Sequence, residues 1–143
     1  MKILRHAGLM LTLILASCDS VQSTTGEQDP LEQHDWLAVS IAGAAVPNPE
    51  RVTLSIANGR VFGHGGCNQY SGPVEHGNGR IKIGPIISTE MACVEGGLMQ
   101  LESKFLGALQ SADGYEFTSR ALLTITTARG PQLYAASPKQ LRP

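Results

Sequence analysis

Downstream of Trp36 the chain alternates apolar and polar positions with a period of two, the signature of half-buried β-strands. Trp36-Leu37-Ala38-Val39 opens this region, and Val52, Leu54 and Ile56 alternate with Thr53, Ser55 and Ala57. Asn58-Gly59 follows, a strong hairpin signal because both residues tolerate positive φ, and Arg60-Val61-Phe62 starts the return strand. Cys67 to Ser71 reads as a further strand, and Asn78-Gly79 is a second hairpin turn that leads into Ile81-Lys82-Ile83. Tyr115-Glu116-Phe117, Leu122 to Thr127 and Gln132 to Ala135 complete the series, separated by Thr118-Ser119-Arg120 and Arg129-Gly130-Pro131. One segment breaks the rhythm: Leu98, Leu101, Phe105 and Leu109 recur at helical spacing between about Gly97 and Gln110. Glu95 suits the positive end of that helix's dipole, and Gly107 weakens the helix by roughly 1 kcal/mol relative to Ala. The pattern predicts an α+β fold: a small antiparallel sheet or cracked barrel with one helix covering an open side.

The N-terminus follows different rules. Lys2 and Arg5 precede an apolar run from Ala7 to Ala16, which ends in Leu15-Ala16-Ser17-Cys18. This is the three-part layout of a secretory signal, and the run is too short to cross a bilayer core of about 30 Å. Its tail resembles a bacterial lipobox, which implies cleavage before Cys18 and lipidation of that cysteine. The simpler alternative is an ordinary signal peptide cut near Ala16. Residues 1–17 are thus read as a lipoprotein signal peptide. From Asp19 to about Asp35 the chain is mostly Ser, Thr, Gln, Asp and Glu, so 18–35 is read as a disordered tether. Residues 36–143 form the expected folded domain.

Composition narrows the partners. Lys2 and Arg5 leave with the signal, so nine basic residues face twelve acidic ones and the mature formal charge is −3. A weakly acidic chain without basic clusters argues against nucleic acid and against a polybasic membrane patch. The expected membrane contact is the lipid itself. Cysteine usage follows from export. With Cys18 lipidated, Cys67 and Cys93 remain, and an even pair in an oxidising compartment is expected to be a disulfide. A buried reduced pair is the competing reading.

The segment Gly63-His64-Gly65-Gly66-Cys67-Asn68-Gln69-Tyr70-Ser71-Gly72 is dense in glycine. It lacks the lysine and the following helix of a phosphate loop, and the strand–turn–helix context of a dinucleotide site. Glycines within a strand pattern point instead to a bulge or a close backbone approach. No cofactor is expected. Three separated blocks, Gly66-Cys67-Asn68-Gln69-Tyr70-Ser71-Gly72, Thr89-Glu90-Met91-Ala92-Cys93 and the helix carrying Glu102 and Phe105, together with the Trp36 region, resemble the META domain. That family includes the HslJ-like heat-shock lipoproteins of bacteria. Glu90 departs from the basic residue often found at its position. The resemblance covers roughly Trp36 to Ala135 and implies a small antiparallel sheet or cracked barrel with a single helix. It also implies an association with envelope stress, without assigning catalytic residues. Gly66, Asn68, Tyr70, Gly72, Thr89, Met91 and Glu102 are its motif positions and are expected to be structural.

Candidate chemistry is sparse. His64, Cys67, His76 and Cys93 supply zinc-type ligands, but their spacing matches no known finger, so no metal is expected. Cys67 could act as a nucleophile with His64 as base only if reduced. No serine-hydrolase elbow occurs, and no pair among Glu75, Glu90, Glu95 and Glu102 is singled out for acid–base work. Two readings follow. The first is a non-enzymatic envelope lipoprotein, its head binding an envelope protein or a small apolar ligand. The second is an enzyme of unrecognised type built on His64, Glu75 and His76, which requires those side chains to share one pocket.

Overall fold

The architecture comes from a computed structural model that describes residues 29–94, 96–119 and 121–138. The expected signal peptide, Cys18, the first part of the expected tether (18–28) and Glu95 lie outside the described residues. Among the described residues ten strands and one α-helix follow in the order β1 (Trp36–Ile41), β2 (Ala44–Ala45), β3 (Thr53–Ala57), β4 (Arg60–His64), β5 (Gln69–Gly77), β6 (Arg80–Ile83), β7 (Ile87–Ser88), α1 (Leu98–Gln110), β8 (Ala112–Ser119), β9 (Leu122–Thr127) and β10 (Gly130–Ala136), with a short 3-10 turn at Pro49–Arg51. Both Asn-Gly pairs form the predicted turns. Asn58 and Gly59 have φ of 52° and 70°, and Asn78 and Gly79 have 51° and 75°, the doubly positive geometry of a type I′ turn.

The sheet is antiparallel throughout and closes on itself. Neighbours run β10-β9-β8-β6-β5-β4-β3-β1, and β1 pairs back onto β10, making a ring of eight strands. β2 extends β1, and β7 pairs with the first part of β5. A closed barrel therefore replaces the looser sheet or cracked barrel of the sequence reading, and closure removes the exposed edges. The β6–β8 seam is narrow, with one paired position, Arg80 and Gly114, and a bond from the Tyr115 N–H to the Gly79 carbonyl at 2.8 Å.

Inward positions match the period-two pattern. Val52, Leu54, Ile56, Val61, Leu123, Ile125 and Leu133 are buried in one core with Trp36. Helix α1 packs against β6 and against β1 and β10, on separate arcs of the ring, and so crosses one opening of the barrel. Its Phe105 and Leu109 are fully buried, whereas Leu98 and Leu101 are half-buried.

The other opening is closed by a segment that the sequence reading assigned to the tether. Leu31 is fully buried in the core, and its carbonyl accepts a bond from the Trp36 indole N–H at 3.1 Å. The folded body therefore begins by Asp29, and the assignment of 29–35 to a disordered tether is corrected. A single leucine in a polar run carries no periodicity, so the pattern did not mark it. Among the described residues no helix is long and apolar enough to cross a membrane.

Candidate functional site

The three blocks of the sequence motif meet at the helix-plugged end. β4 ends at His64 and β5 begins at Gln69, so Gly65 to Asn68 make the bend between them. Glu102 of α1 points its buried carboxylate into that bend. Its Oε2 accepts the backbone N–H of Cys67 at 3.2 Å and of Asn68 at 2.6 Å, and its Oε1 accepts the Asn68 side-chain amide at 2.9 Å. Three donors around one carboxylate offset the cost of removing it from water. The approach is close enough to exclude a side chain at Gly65, where a Cβ would lie 2.8 Å from Glu102 Cγ. This is the close backbone approach that the glycine run implied.

Asn68 carries the network onward. Its Oδ1 accepts the Met91 N–H at 2.7 Å and the Thr89 hydroxyl at 2.9 Å, which fixes the segment leading to α1. Cys67 is disulfide-bonded to Cys93 with Cα atoms 5.9 Å apart, inside the range a bridge requires. Tyr70 donates its hydroxyl to the Thr53 carbonyl at 2.9 Å and packs edge-on against Phe105 with ring centroids 5.5 Å apart. Burial pushes the Tyr70 phenol well above its ordinary pKa. Gly66 adopts φ of 111° and donates its N–H to His64 Nδ1 at 3.2 Å. Gly72 sits in β5 opposite Val61, with the Pro85 carbonyl 3.1 Å from where a Cβ would stand. Thr89 and Met91 thus act through the backbone and a hydroxyl, while the Met91 side chain is exposed.

The alternative site does not assemble. His64 lies at the start of the β4–β5 pairing, opposite Gln69, whereas His76 lies opposite Ile81 at the far end of β5. His76 lies seven residue steps beyond Gln69 along the strand, about 23 Å at 3.3 Å per step. His64 lines a concavity with Thr53, Phe62 and Ile87, and Glu75 and His76 line another with Arg80 and Asp113. The enzymatic reading that needed these three side chains in one pocket loses its geometry. The zinc-type set is likewise divided, because two of its members are joined in the disulfide. Among the described residues no group of three or more His, Cys, Asp and Glu is placed to hold a metal ion.

His76 belongs to a clasp at the Asp29 end of the barrel. Its Nδ1 lies 3.2 Å from Asp29 Oδ2 and its Nε2 lies 3.1 Å from Glu32 Oε1. Tyr115 donates its hydroxyl to the same Asp29 oxygen at 2.6 Å, and the Leu31 N–H donates to Asp29 Oδ1 at 3.0 Å. Burial raises the Asp29 pKa, but the bonds from Tyr115, Leu31 and His76 outweigh it and hold the carboxyl below its ordinary value. Burial and the Asp29 carboxylate together push Tyr115 up to about 12.

Comparison with known proteins fixes the family. The META domain model matches residues 29–140, so the match begins at the clasp residue Asp29. The chain belongs to the META domain family. Its fold is shared by two structures solved by NMR. One is 22% identical, with a TM-score of 0.63, covering 80% of this chain and 99% of the other. The second, from Burkholderia xenovorans, is 21% identical with a TM-score of 0.60, covering 94% of this chain and 98% of the other. No curated protein matches the chain. Within this META domain the motif residues serve as architecture: Glu102 and Asn68 pin helix, bend and disulfide segment to one another.

One feature of this end escaped the sequence reading. Between the β1–β2 hairpin and the first turns of α1 lies a groove of about 370 Å³, with Ala44, Ala45, Leu98 and Leu101 on its walls and Arg51 and Lys104 among its lining residues. The half-burial of Leu98 and Leu101 is its local mark, but nothing in the sequence pairs the hairpin with the helix.

Proposed function

We propose that this chain is a bacterial envelope lipoprotein, anchored through lipid on Cys18, whose META domain is a non-enzymatic binding head of the HslJ-like, stress-associated kind. The observation that carries the reading of the head is the bonding of its motif. Cys67 lies in a disulfide, Glu102 accepts three N–H bonds, and Asn68 and Tyr70 each bond to backbone across elements. The residues that give the family its pattern hold a rigid shell together, and surface concavities are left to do the recognising. The anchor rests on the lipobox-like Leu15-Ala16-Ser17-Cys18 after an apolar run. The chain enters the head at its Asp29 end, and α1 closes the opposite end.

Metabolic labelling with a radiolabelled or clickable palmitate tests the anchor. The wild type should take up label and partition with membranes, and Cys18→Ser should do neither. Equal labelling of both would reject the lipoprotein reading.

A further inference from the structure

We infer that His76 is a proton-operated latch on the segment that closes the Asp29 end of the barrel: its imidazolium ties Asp29 and Glu32 to β5, and loss of one ring proton releases Glu32. Both ring nitrogens face carboxylate oxygens, Nδ1 at 3.2 Å from Asp29 Oδ2 and Nε2 at 3.1 Å from Glu32 Oε1. An ionised carboxylate only accepts hydrogen bonds, and Asp29 is held below its ordinary pKa. A neutral imidazole carries a single N–H, so it donates to one of the two and turns a lone pair toward the other. Only the imidazolium, with two N–H donors, satisfies both contacts at once. At 12% exposure the ring has little water to make up for a mismatched nitrogen.

Glu32 is the partner that lets go. Asp29 keeps the Tyr115 hydroxyl at 2.6 Å and the Leu31 N–H at 3.0 Å whatever the ring does. The Glu32 side chain lies nearer the surface, 35% exposed against 24% for Asp29, so its carboxylate turns to water at little cost. Buried Leu31 and the bond from the Glu32 N–H to the Asp29 carbonyl at 2.8 Å hold the segment from within, and the contact of Glu32 with His76 is its outer tie to β5. The other charges around the ring balance. The concavity that His76 lines carries Glu75 from β5, Arg80 and Lys82 from β6 and Asp113 from β8, two acids and two bases. Tyr115 of β8 meets the ring edge-on with centroids 6.5 Å apart, and its phenol, pushed up to about 12, stays neutral at physiological pH. The Glu32 tie is therefore present while the ring is protonated and is lost as pH rises and the ring gives up a proton. The inference goes beyond the proposed function and depends neither on lipid at Cys18 nor on what the head binds.

Amide hydrogen exchange of the ¹⁵N-labelled protein at about pH 5.5 and about pH 8 is the test, because ordinary carboxylates stay ionised across that interval while an ordinary imidazole changes charge. With rates corrected for intrinsic exchange, protection at Leu31 and Glu32 should fall about three- to fivefold from the lower pH to the higher, the worth of one half-exposed ion pair. Glu32→Gln should keep the protection at both pH values and lose the step, since its amide donates to a bare ring nitrogen as readily as it accepts from an N–H. His76→Gln should also lose the step, and sit at the wild type's higher-pH level. His34→Gln should retain it, which separates His76 from the histidine inside the closing segment that packs edge-on against Trp36. If His76→Gln does not fold, Glu32→Gln, a change nearer the surface, carries the test. Equal protection at both pH values in the wild type, protection that rises with pH, a step that survives in Glu32→Gln or His76→Gln, or a step abolished by His34→Gln would each overturn the inference.

Discussion

The two ends of the barrel are closed by different physics. At the helix end a 13-residue helix, a disulfide and a buried carboxylate close the opening. At the Asp29 end a few residues do so, through one buried leucine and a polar clasp that runs from buried Tyr115 through part-buried Asp29 and His76 to Glu32 nearer the surface. The first closure is covalent, buried and cross-linked to three elements. The second is local and made of polar side-chain contacts. A head built this way is firm where its groove lies and softer where the chain leads toward residues 18–28. Stability should therefore separate by end.

The largest effect is expected at the helix end. Glu102→Ala removes the acceptor for Cys67 N–H, Asn68 N–H and the Asn68 amide together, so it should destabilise the domain by about 3–4 kcal/mol. The denaturant midpoint should fall with little change in slope; a loss below about 1 kcal/mol would mean the carboxylate is not the pin. Close behind comes the disulfide. Closing a loop with a sequence separation of 26 is worth about 3–4 kcal/mol on the chain-entropy account, and the double variant Cys67→Ser/Cys93→Ser should lose that much in urea melts.

At the other end the first prediction concerns Leu31. Leu31→Ala should cost about 2–3 kcal/mol, at the lower part of the range for a buried leucine because the short segment can collapse around the gap. An unchanged melt would return 29–35 to the tether. Smaller still is Tyr115→Phe, about 1.5 kcal/mol for one bond to a carboxylate. Its pH signature is more telling than its size. Asp29 has a depressed pKa in the folded state, so its contribution is full above the unfolded value of 3.8 and is lost as pH falls through the lower folded value. Tyr115 has a raised pKa, so its contribution is full below 10 and is lost as pH rises through about 12. Asp29→Asn should flatten the acid limb of stability against pH, and Tyr115→Phe should shallow the alkaline limb, leaving the part due to Tyr70. Limbs unchanged by either variant would show that the clasp does not couple to folding.

Much of this was legible in the chain. The Asn58-Gly59 and Asn78-Gly79 turns, the Val52, Leu54, Ile56 alternation and the α1 stripe were readable because each rests on local rules of φ or period. The pairing of Cys67 with Cys93 followed from counting cysteines under export. Other features depend on what lies opposite, which a sequence does not carry. Leu31 is one apolar residue among polar ones, and only the Trp36 indole and the open barrel end give it a place. Glu102 sits three residues before Phe105 and seven before Leu109, on their face of the helix. Its structural role was expected, but the donors it meets, the Cys67 and Asn68 amides, lie 35 and 34 residues away and no local pattern names them. The nine residues of β5 read as a strand only as far as Ser71, because Gly72-Pro73 interrupts the pattern where β5 changes partner from β4 and β7 to β6. The groove joins a hairpin to a helix some fifty residues later, a distance no local pattern spans.

The contrast between the ends is tested most directly by native-state hydrogen exchange under low denaturant, read amide by amide. The Cys67 and Asn68 amides, held by the Glu102 carboxylate, should exchange only through global unfolding and share its free energy and denaturant slope. The amides of Leu31 and Glu32, which bond to the Asp29 side chain and carbonyl, should open through a smaller local event, at least about 2 kcal/mol lower and with a shallower slope. Equal free energies at both ends, or faster exchange at Cys67 and Asn68 than at Leu31, would contradict the account.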